Sequence, residues 1–396
     1  AVKIHPAYQR GQAVYVNDAS RAVGVVSSLL SNDNKTGYIE TIRSDYLKTA
    51  DAHARAELDK QRMPIDKARA NALKLDWASY APPQPSFTGT RVFSSYDVAE
   101  LIPYIDWTPF FWTWELKGRF PAILEDKLYG AEARSLYEDA REMLDRAVAE
   151  RWFTPKAVIG FWPANSVGDD VRLYTGESRS ETLATLHGLR QQLIKRDGRP
   201  NTCISDFVAP AESGKADYVG AFVVTSGMSE ERVAKRFEKA NDDYRSIMVK
   251  ALADRLAEAL AERMHERVRR EFWGYAADEN LTADDLITEK YRGIRPAPGY
   301  PAQPDHTEKE TLFRLLNAEK RVGVSLTESF AMWPGASVSG VYFSHPESHY
   351  FGVAKVERDQ VADYAARKGM SLSEMERWLA PILNYTPAGA AMQAAE

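Results

Sequence analysis

Ala157-Val-Ile-Gly-Phe-Trp162 is followed, across a Gly168-Asp169 turn, by Asp170-Val-Arg-Leu-Tyr174. Two β-rich runs joined by a short glycine turn read as an antiparallel strand pair. Downstream, Thr202-Cys-Ile-Ser-Asp-Phe-Val208 and Tyr218-Val-Gly-Ala-Phe-Val-Val224 read as a second pair. Leu326-Thr-Glu-Ser-Phe330, Ser337-Val-Ser-Gly-Val-Tyr-Phe343 and Tyr350-Phe-Gly-Val-Ala-Lys-Val356 read as three more strands.

Elsewhere the apolar period lengthens to three or four residues, the helical spacing. Residues 132–152 carry Leu136, Met143, Leu144 and Val148 at near-helical intervals, and residues 182–193 also read as a helix. The strongest periodic signal starts at the cap Ser229-Glu-Glu and continues through Val233, Leu252, Leu256 and Leu260 to Phe272. A single helix of that length would span roughly 60 Å, so a bend or break is expected. Thr282-Ala-Asp-Asp285, Thr307-Glu-Lys-Glu310 and Ser371-Leu-Ser-Glu374 read as capping boxes that open further helices. Strand pairs on short turns, with helices grouped elsewhere, imply an α+β fold: a twisted antiparallel sheet with helices at its ends.

Upstream, Ala13-Val-Tyr-Val16, the turn Asn17-Asp-Ala-Ser20 and residues 21–30 read as one strand–turn–helix unit. One such unit cannot cover both its faces, so it reads as the end of an α/β, Rossmann-like domain. Residues 36–61 read as an exposed, charged linker helix, and Ala81-Pro-Pro-Gln-Pro85 as a wrapping segment. The start at Ala1 reads as a cut through a longer polypeptide, and the alanine-rich tail after Pro387 as disordered.

The chain has 396 residues, with Lys plus Arg 51 and Asp plus Glu 56, a net charge of −5. It therefore lacks the chain-wide basic footprint of a nucleic-acid binder. No run of about 18 apolar residues suggests a membrane span. The lone Cys203 can form neither an internal disulfide nor a cysteine-based zinc cluster. The cysteine count and the absence of a leader pattern at the start point to the cytoplasm.

Four stretches are candidate sites. In Gly293-Ile-Arg295-Pro-Ala-Pro-Gly-Tyr300-Pro301, the prolines exclude a helix and Gly299 permits a tight bend. Arg295 on such a stiff loop suits a carboxylate held by two parallel hydrogen bonds, or else is a surface arginine on a connection. Ala331-Met-Trp-Pro-Gly-Ala-Ser337 with Phe343-Ser-His-Pro-Glu-Ser-His-Tyr350-Phe351 reads either as a slot for a flat heterocycle or as an aromatic hairpin core. Pro346 between His345 and His349 argues against a helical metal pair. In Tyr104-Ile-Asp106-Trp107-Thr-Pro-Phe-Phe-Trp112-Thr-Trp114, Asp106 stands beside an aromatic mass. A carboxylate there can take an ammonium or sulfonium group, although a core cluster with a capping Asp is the plainer reading. Asp254, Glu258, Glu262 and Glu266 form an i, i+4 row offset from the leucine stripe. The plainer reading is a solvated face, and the alternative is an acidic surface for a cationic ligand or a partner protein. Phosphate-binding glycine loops, zinc spacings and a serine–histidine nucleophile motif are all missing, which favours ligand binding over hydrolysis.

At these residues the chain resembles the C-terminal part of the cobalamin-dependent methionine synthase family. The likeness rests on Ile105-Asp-Trp-Thr-Pro-Phe-Phe111, Pro163-Ala-Asn-Ser-Val-Gly-Asp-Asp170, Asp206-Phe-Val-Ala-Pro210, Ser213-Gly-Lys-Ala-Asp-Tyr218, Met248-Val-Lys-Ala-Leu-Ala-Asp-Arg-Leu-Ala-Glu258, Arg295-Pro-Ala-Pro-Gly-Tyr300 and Glu328-Ser-Phe-Ala-Met-Trp-Pro-Gly-Ala-Ser-Val-Ser-Gly340. It covers nearly the whole chain short of the tail.

The resemblance implies a remnant of the cobalamin-binding domain at 1–35, a linker at 36–56, a reactivation domain at 57–388 that binds S-adenosylmethionine, and a tail at 389–396. It implies that the methyl of S-adenosylmethionine is presented for reductive methylation of inert cob(II)alamin, with an electron from flavodoxin or a related flavoprotein. It assigns Asp106 to the methionine portion of the ligand, and Arg295, Pro296, Ala297, Gly299 and Tyr300 to the ligand loop. It matches Tyr350 and Phe351 to positions lining the adenosyl slot; the family often has a second Tyr at Phe351, so only a backbone contact would survive there. It also implies that Glu258 and Glu289 lie near the sulfonium, and Ala19 with Ser20 at the edge of cobalamin. The cobalt-ligating Asp-x-His-x-x-Gly motif is absent, so this chain alone is expected neither to hold cobalamin firmly nor to make methionine. The implied partners are the parent enzyme's cobalamin-binding domain and the flavoprotein, with the chain itself a monomer. A free-standing methyltransferase and a docking module without a ligand are the rival readings.

Overall fold

The computed structural model describes residues 1–387 apart from 3, 9, 10, 17, 18, 59, 60, 196 and 197. The tail expected to be disordered lies outside the described residues. The chain opens with α1 (Ile4–Ala7), α2 (Ala19–Leu30) and the long, mostly exposed α3 (Lys35–Leu58). The strand expected at 13–16 does not form. Among the described residues no strand pairs with it, and a solitary strand leaves its backbone groups unmatched. The Tyr15 amide donates instead to the Tyr46 hydroxyl on α3, at 2.7 Å.

Next come α4 (Ile65–Ala70), β1 (Gly89–Phe93), α5 (Val98–Leu101), α6 (Thr108–Thr113) and α7 (Gly130–Ala149). The sheet continues with β2 (Lys156–Val167), β3 (Asp170–Tyr174), β4 (Thr182–His187) and β5 (Asp217–Thr225), and later β6 (Ser325–Leu326), β7 (Met332–Trp333) and β8 (Ser337–Tyr342). Six of these strands form one antiparallel sheet in the order β4-β3-β2-β5-β8, with β1 also on β2; β6 and β7 form a separate small ladder. The fold is α+β, and β2 with β3 pair as their sequence indicates, Val167 lying opposite Asp170.

Alternation along the strands creates two cores. Ala157, Ile159 and Phe161 of β2, Phe222 and Val224 of β5 and Tyr342 of β8 face one way. They pack against α7 and against Met248, Leu252, Leu256, Leu260 and Met264. Val158, Val219, Ala221, Val223 and Val341 face the other way, onto Leu312, Leu316 and Val322. Burying a side chain such as Phe222 stabilises by about 1.5–3 kcal/mol, and its neighbours here are buried on both faces.

The long helical signal divides as its length demands. α8 (Glu230–Lys239) ends, Asn241 turns through φ +56°, and α9 (Asp243–Arg267) restarts with the Asp242 carboxylate accepting from the Arg245 amide at 3.0 Å. A π-helical turn, Val268–Phe272, extends α9. After it come α10 (Ala283–Ile287), α11 (Glu308–Leu316), α12 (Ala318–Val322), α13 (Arg358–Lys368) and α14 (Leu372–Trp378). Thr282 and Asp285 make the expected capping box, and Ser371 caps the Glu374 amide. Thr307 instead turns its hydroxyl to Asp305, at 2.7 Å.

Four further expectations fail. Residues 182–187 are strand β4, not helix: Ala184 and Leu186 are buried with a period of two and face Leu173 and Val171. Residues 204–207 form a 3-10 turn because Asp206 accepts from the Cys203 amide at 2.8 Å while Arg190 grips its carboxylate. Residues 350–356 touch different segments in turn, Val353 donating to Pro301 and Val356 to Ile382, so no ladder forms. Of the strand expected over 326–330 only Leu326 lies in one, at the end of β6; Phe330 turns back, its amide donating to the Thr327 carbonyl.

Candidate ligand-binding cleft

β8 is an edge strand of the sheet, and the proline-framed loop covers its open side. Ile294 and Phe343 exchange backbone hydrogen bonds at 3.0 Å, and the Val341 amide donates to the Pro296 carbonyl at 2.9 Å. Two glycines make that approach possible. Gly293 adopts φ +80°, where a Cβ would sit 2.6 Å from the Phe343 carbonyl. On the strand beneath, a Cβ at Gly340 would sit 2.7 Å from the Pro296 oxygen and 2.9 Å from the Phe222 ring. The loop is thus fixed to the sheet by backbone, and Arg295 is directed toward α9.

There the Arg295 Nη1 and Nη2 donate to Glu262 Oε2 at 3.0 and 2.8 Å. The Arg295 amide donates to the Tyr350 hydroxyl at 3.0 Å, and that hydroxyl lies 3.0 Å from the Tyr291 hydroxyl. Burial works against the charge on Arg295, but Glu262 and the other acceptors around it hold its pKa above the ordinary value. It is a fixed cation.

The cleft has two halves. The polar half, about 150 Å³, is lined by Tyr104, Asp106, Arg255, Glu258, Glu262, Glu289 and Arg295, with Ile105 and Leu286. The apolar half, about 320 Å³, is lined by Phe222, Pro296, Ala297, Tyr300, Pro301, Ala302, Val338, Tyr350 and Phe351. Glu258, Glu289 and Arg295 border both. In the polar half, four carboxylates face two arginines, a balance that favours a cationic guest.

Asp106 lies in the polar half, and its Oδ1 accepts from the Thr108 amide at 2.9 Å at the start of α6. Its neighbours Trp107, Phe110 and Phe111 are core residues, so the aromatic mass builds the wall and does not form the site. Burial raises the pKa of Glu258, opposed first by Arg295 and then by Arg255. Glu289 is raised the same way, again opposed by Arg295. Glu289 also has φ +56° just beyond α10, a conformation that costs a non-glycine residue roughly 1 kcal/mol.

The acidic row is not a solvated face. Asp254 is exposed, but Glu258 and Glu262 line the cleft, and Glu266 accepts from Tyr104 at 2.5 Å and Arg263 at 2.7 Å. The row lies opposite the leucine stripe as its spacing requires. A second layer, the Tyr104 segment and the Arg295 loop, covers it there. The Ala331–Ser337 stretch is elsewhere: Met332 and Trp333 form β7, and Trp333 and Pro334 lie beside α8. Only Tyr350 and Phe351 of that pair of stretches reach the cleft. Gly299, at φ +97°, shapes the bend, a Cβ there falling 2.4 Å from the His306 ring. His345 packs between Trp77 and Tyr80. Ala19 and Ser20 open α2, and their side chains lie outside the description. Tyr291, which the sequence reading did not name, and Glu262, which it named only as a member of the acidic row, both line the polar half, and Glu262 is the partner of Arg295.

Residues 97–369 match the family model described as "Vitamin B12 dependent methionine synthase, activation domain". Among solved structures, the chain is similar to one described as "Crystal Structure of the MetH Reactivation Domain bound to AdoHcy", at 55% identity and a TM-score of 0.80. That match covers 82% of this chain and 99% of the other. No helix among the described residues is long and apolar enough to cross a membrane. With more than half of its length matched by the family model, and this loop and cleft on the matched part, the chain belongs to the activation-domain family of vitamin B12-dependent methionine synthases.

Proposed function

We propose that the two-part cleft binds S-adenosylmethionine and presents its methyl group for reductive methylation of cob(II)alamin. The observation that carries this reading is the meeting of the two halves at Glu258, Glu289 and Arg295. The ligand has the same order of chemistry: a zwitterionic amino-acid end, a sulfonium, then a flat nucleoside. Arg295 suits the carboxylate and Asp106 the ammonium. Glu258 and Glu289 suit the sulfonium at the waist. Pro296, Ala297, Tyr300, Tyr350 and Phe351 suit the adenosyl group, with Gly299 setting the loop's bend. Phe351 brings no hydroxyl, so its contribution is packing and backbone.

A sulfonium methyl is already electrophilic. The residues therefore position and shield it, and no acid or base among them is required. When cobalamin is bound by the parent enzyme, it supplies the nucleophilic metal, and one electron comes from outside. We assign that electron to flavodoxin or a related flavoprotein, and the docking surface to the cobalamin-binding domain, whose edge Ala19 and Ser20 would join. The parent activity is 5-methyltetrahydrofolate–homocysteine methyltransferase, in the cytoplasm. Residues 57–388 form the monomeric reactivation unit, following a remnant at 1–35 and a linker at 36–56. This piece alone does not make methionine.

Equilibrium dialysis with methyl-labelled S-adenosylmethionine tests the reading. The chain retains the label and passes none to homocysteine when cobalamin is left out. Transfer without cobalamin would instead indicate a free-standing methyltransferase. No retention would indicate a docking module.

A further inference from the structure

A second ion pair stands behind Arg295 and Glu262. Arg269, on the π-helical turn that extends α9, is fully buried. Its Nε and Nη2 are gripped by the Glu279 carboxylate at 2.7–3.0 Å, and its guanidinium lies over the Tyr291 ring at 4.5 Å. The remaining nitrogen, Nη1, is 4.0 Å from Glu262 Oε1. Neither of these two atoms has a hydrogen-bond partner among the described residues. Buried charged atoms rarely go unmatched, and the gap is about 1 Å longer than a hydrogen bond. Glu262 thus spends one oxygen twice on Arg295 and holds the other just short of Arg269.

This geometry matters once a ligand carboxylate arrives. Glu262 occupies the guanidinium fork that the ligand needs, and two carboxylates on one fork repel. A short rotation of Glu262 would exchange its bond to Arg295 for one to Arg269. Every buried charge would then remain paired. We infer that Arg269, held by Glu279, is a positioning residue that receives Glu262 when a ligand carboxylate takes Arg295. The row Glu279–Arg269–Glu262–Arg295 works as a two-position carboxylate switch. The inference rests on the S-adenosyl reading above and goes one residue layer deeper.

Calorimetric titration of the full chain tests it with two probes. S-adenosylhomocysteine carries the amino-acid end; 5′-methylthioadenosine keeps the nucleoside and thioether but lacks that end. Arg269→Gln is expected to weaken the first by roughly tenfold and to leave the second within about twofold. Arg269→Lys, which keeps a cation for Glu262, recovers part of the loss. Glu262→Gln removes the competing charge and is expected to tighten S-adenosylhomocysteine; in that background Arg269→Gln adds nothing further. Equal weakening of both probes by Arg269→Gln, or no tightening by Glu262→Gln, overturns the switch. If Arg269→Gln does not fold, the Glu262→Gln arm decides alone. If the unaltered chain binds neither probe, the ligand reading falls and the switch with it. If it binds both and Arg269→Gln leaves their affinity ratio unchanged, only the switch falls.

Discussion

Arg295 and Glu262 form a closed fork: both terminal guanidinium nitrogens converge on Oε2, at 2.8 and 3.0 Å, with the arginine side chain 19% exposed. The loop that carries Arg295 is pinned to β8 by backbone alone, so the fork is aimed before any ligand arrives. Such preorganisation lowers the ordering cost of binding.

Arg295→Ala is therefore expected to cost about 3 kcal/mol of S-adenosylhomocysteine affinity, roughly 100-fold in Kd. Arg295→Lys keeps the charge but not the fork and falls between. Calorimetric titration checks both, with circular dichroism as the test of folding. An unchanged Kd for Arg295→Ala contradicts the assignment.

Gly340→Ala places a methyl 2.7 Å from the Pro296 carbonyl and 2.9 Å from the Phe222 ring. The expected loss is about 1–3 kcal/mol of stability, together with weaker ligand binding because the loop is displaced. Gly335→Ala is the control, since a Cβ there meets nothing within 4 Å. Equal thermal midpoints for the two variants would refute the close-approach argument.

Glu266 gives a pH signature. Burial would raise its pKa, but the Tyr104 hydroxyl, Arg263 and Arg270 together hold it below the ordinary glutamate value. Tyr104, pushed up to about 12 by burial and by Glu266, stays protonated and donates. A carboxyl lowered on folding adds stability above its unfolded pKa and loses it as pH falls through the folded value. Glu266→Gln is thus expected to cost about 1–2 kcal/mol at pH 7, with the gap to the parent closing below about pH 4. Urea midpoints at both pH values decide it, and a gap that does not narrow in acid is the contrary result.

Arg190 serves the fold and not the cleft. It is 2% exposed and donates to Asp169 at 2.7 Å and to both Asp206 oxygens at 2.8 Å. Arg190→Gln leaves two buried carboxylates short of a partner, with an expected cost of about 3–5 kcal/mol. The protein that remains folded should keep its nucleoside affinity. A matching loss of affinity would connect this network to the site.

The hairpin at 157–174 could be read directly, because it rests on local period and turn chemistry; that the 229–272 helix must divide followed from its length alone, and the position of the break at Asn241 was not read. Strand β4 was missed although Ala184 and Leu186 alternate correctly, since Thr182-Leu-Ala-Thr-Leu-His187 is too short for its period to outweigh a helical reading. The turn at 204–207 depends on Arg190, a contact that no local pattern reveals. The same limit left Glu262 undecided between a solvated face and a ligand surface. The offset from the leucine stripe placed the acidic row opposite the core, but only tertiary structure shows that the Arg295 loop covers it. The stiff loop at 293–301 was legible because its prolines fix φ and Gly299 permits the bend, whatever surrounds them.

The most direct test is one titration: S-adenosylhomocysteine into the folded chain, followed calorimetrically. The account predicts saturable binding at one site per chain, weakened roughly 100-fold by Arg295→Ala. A folded chain that gives no heat at millimolar nucleoside, or binding that Arg295→Ala leaves intact, contradicts it.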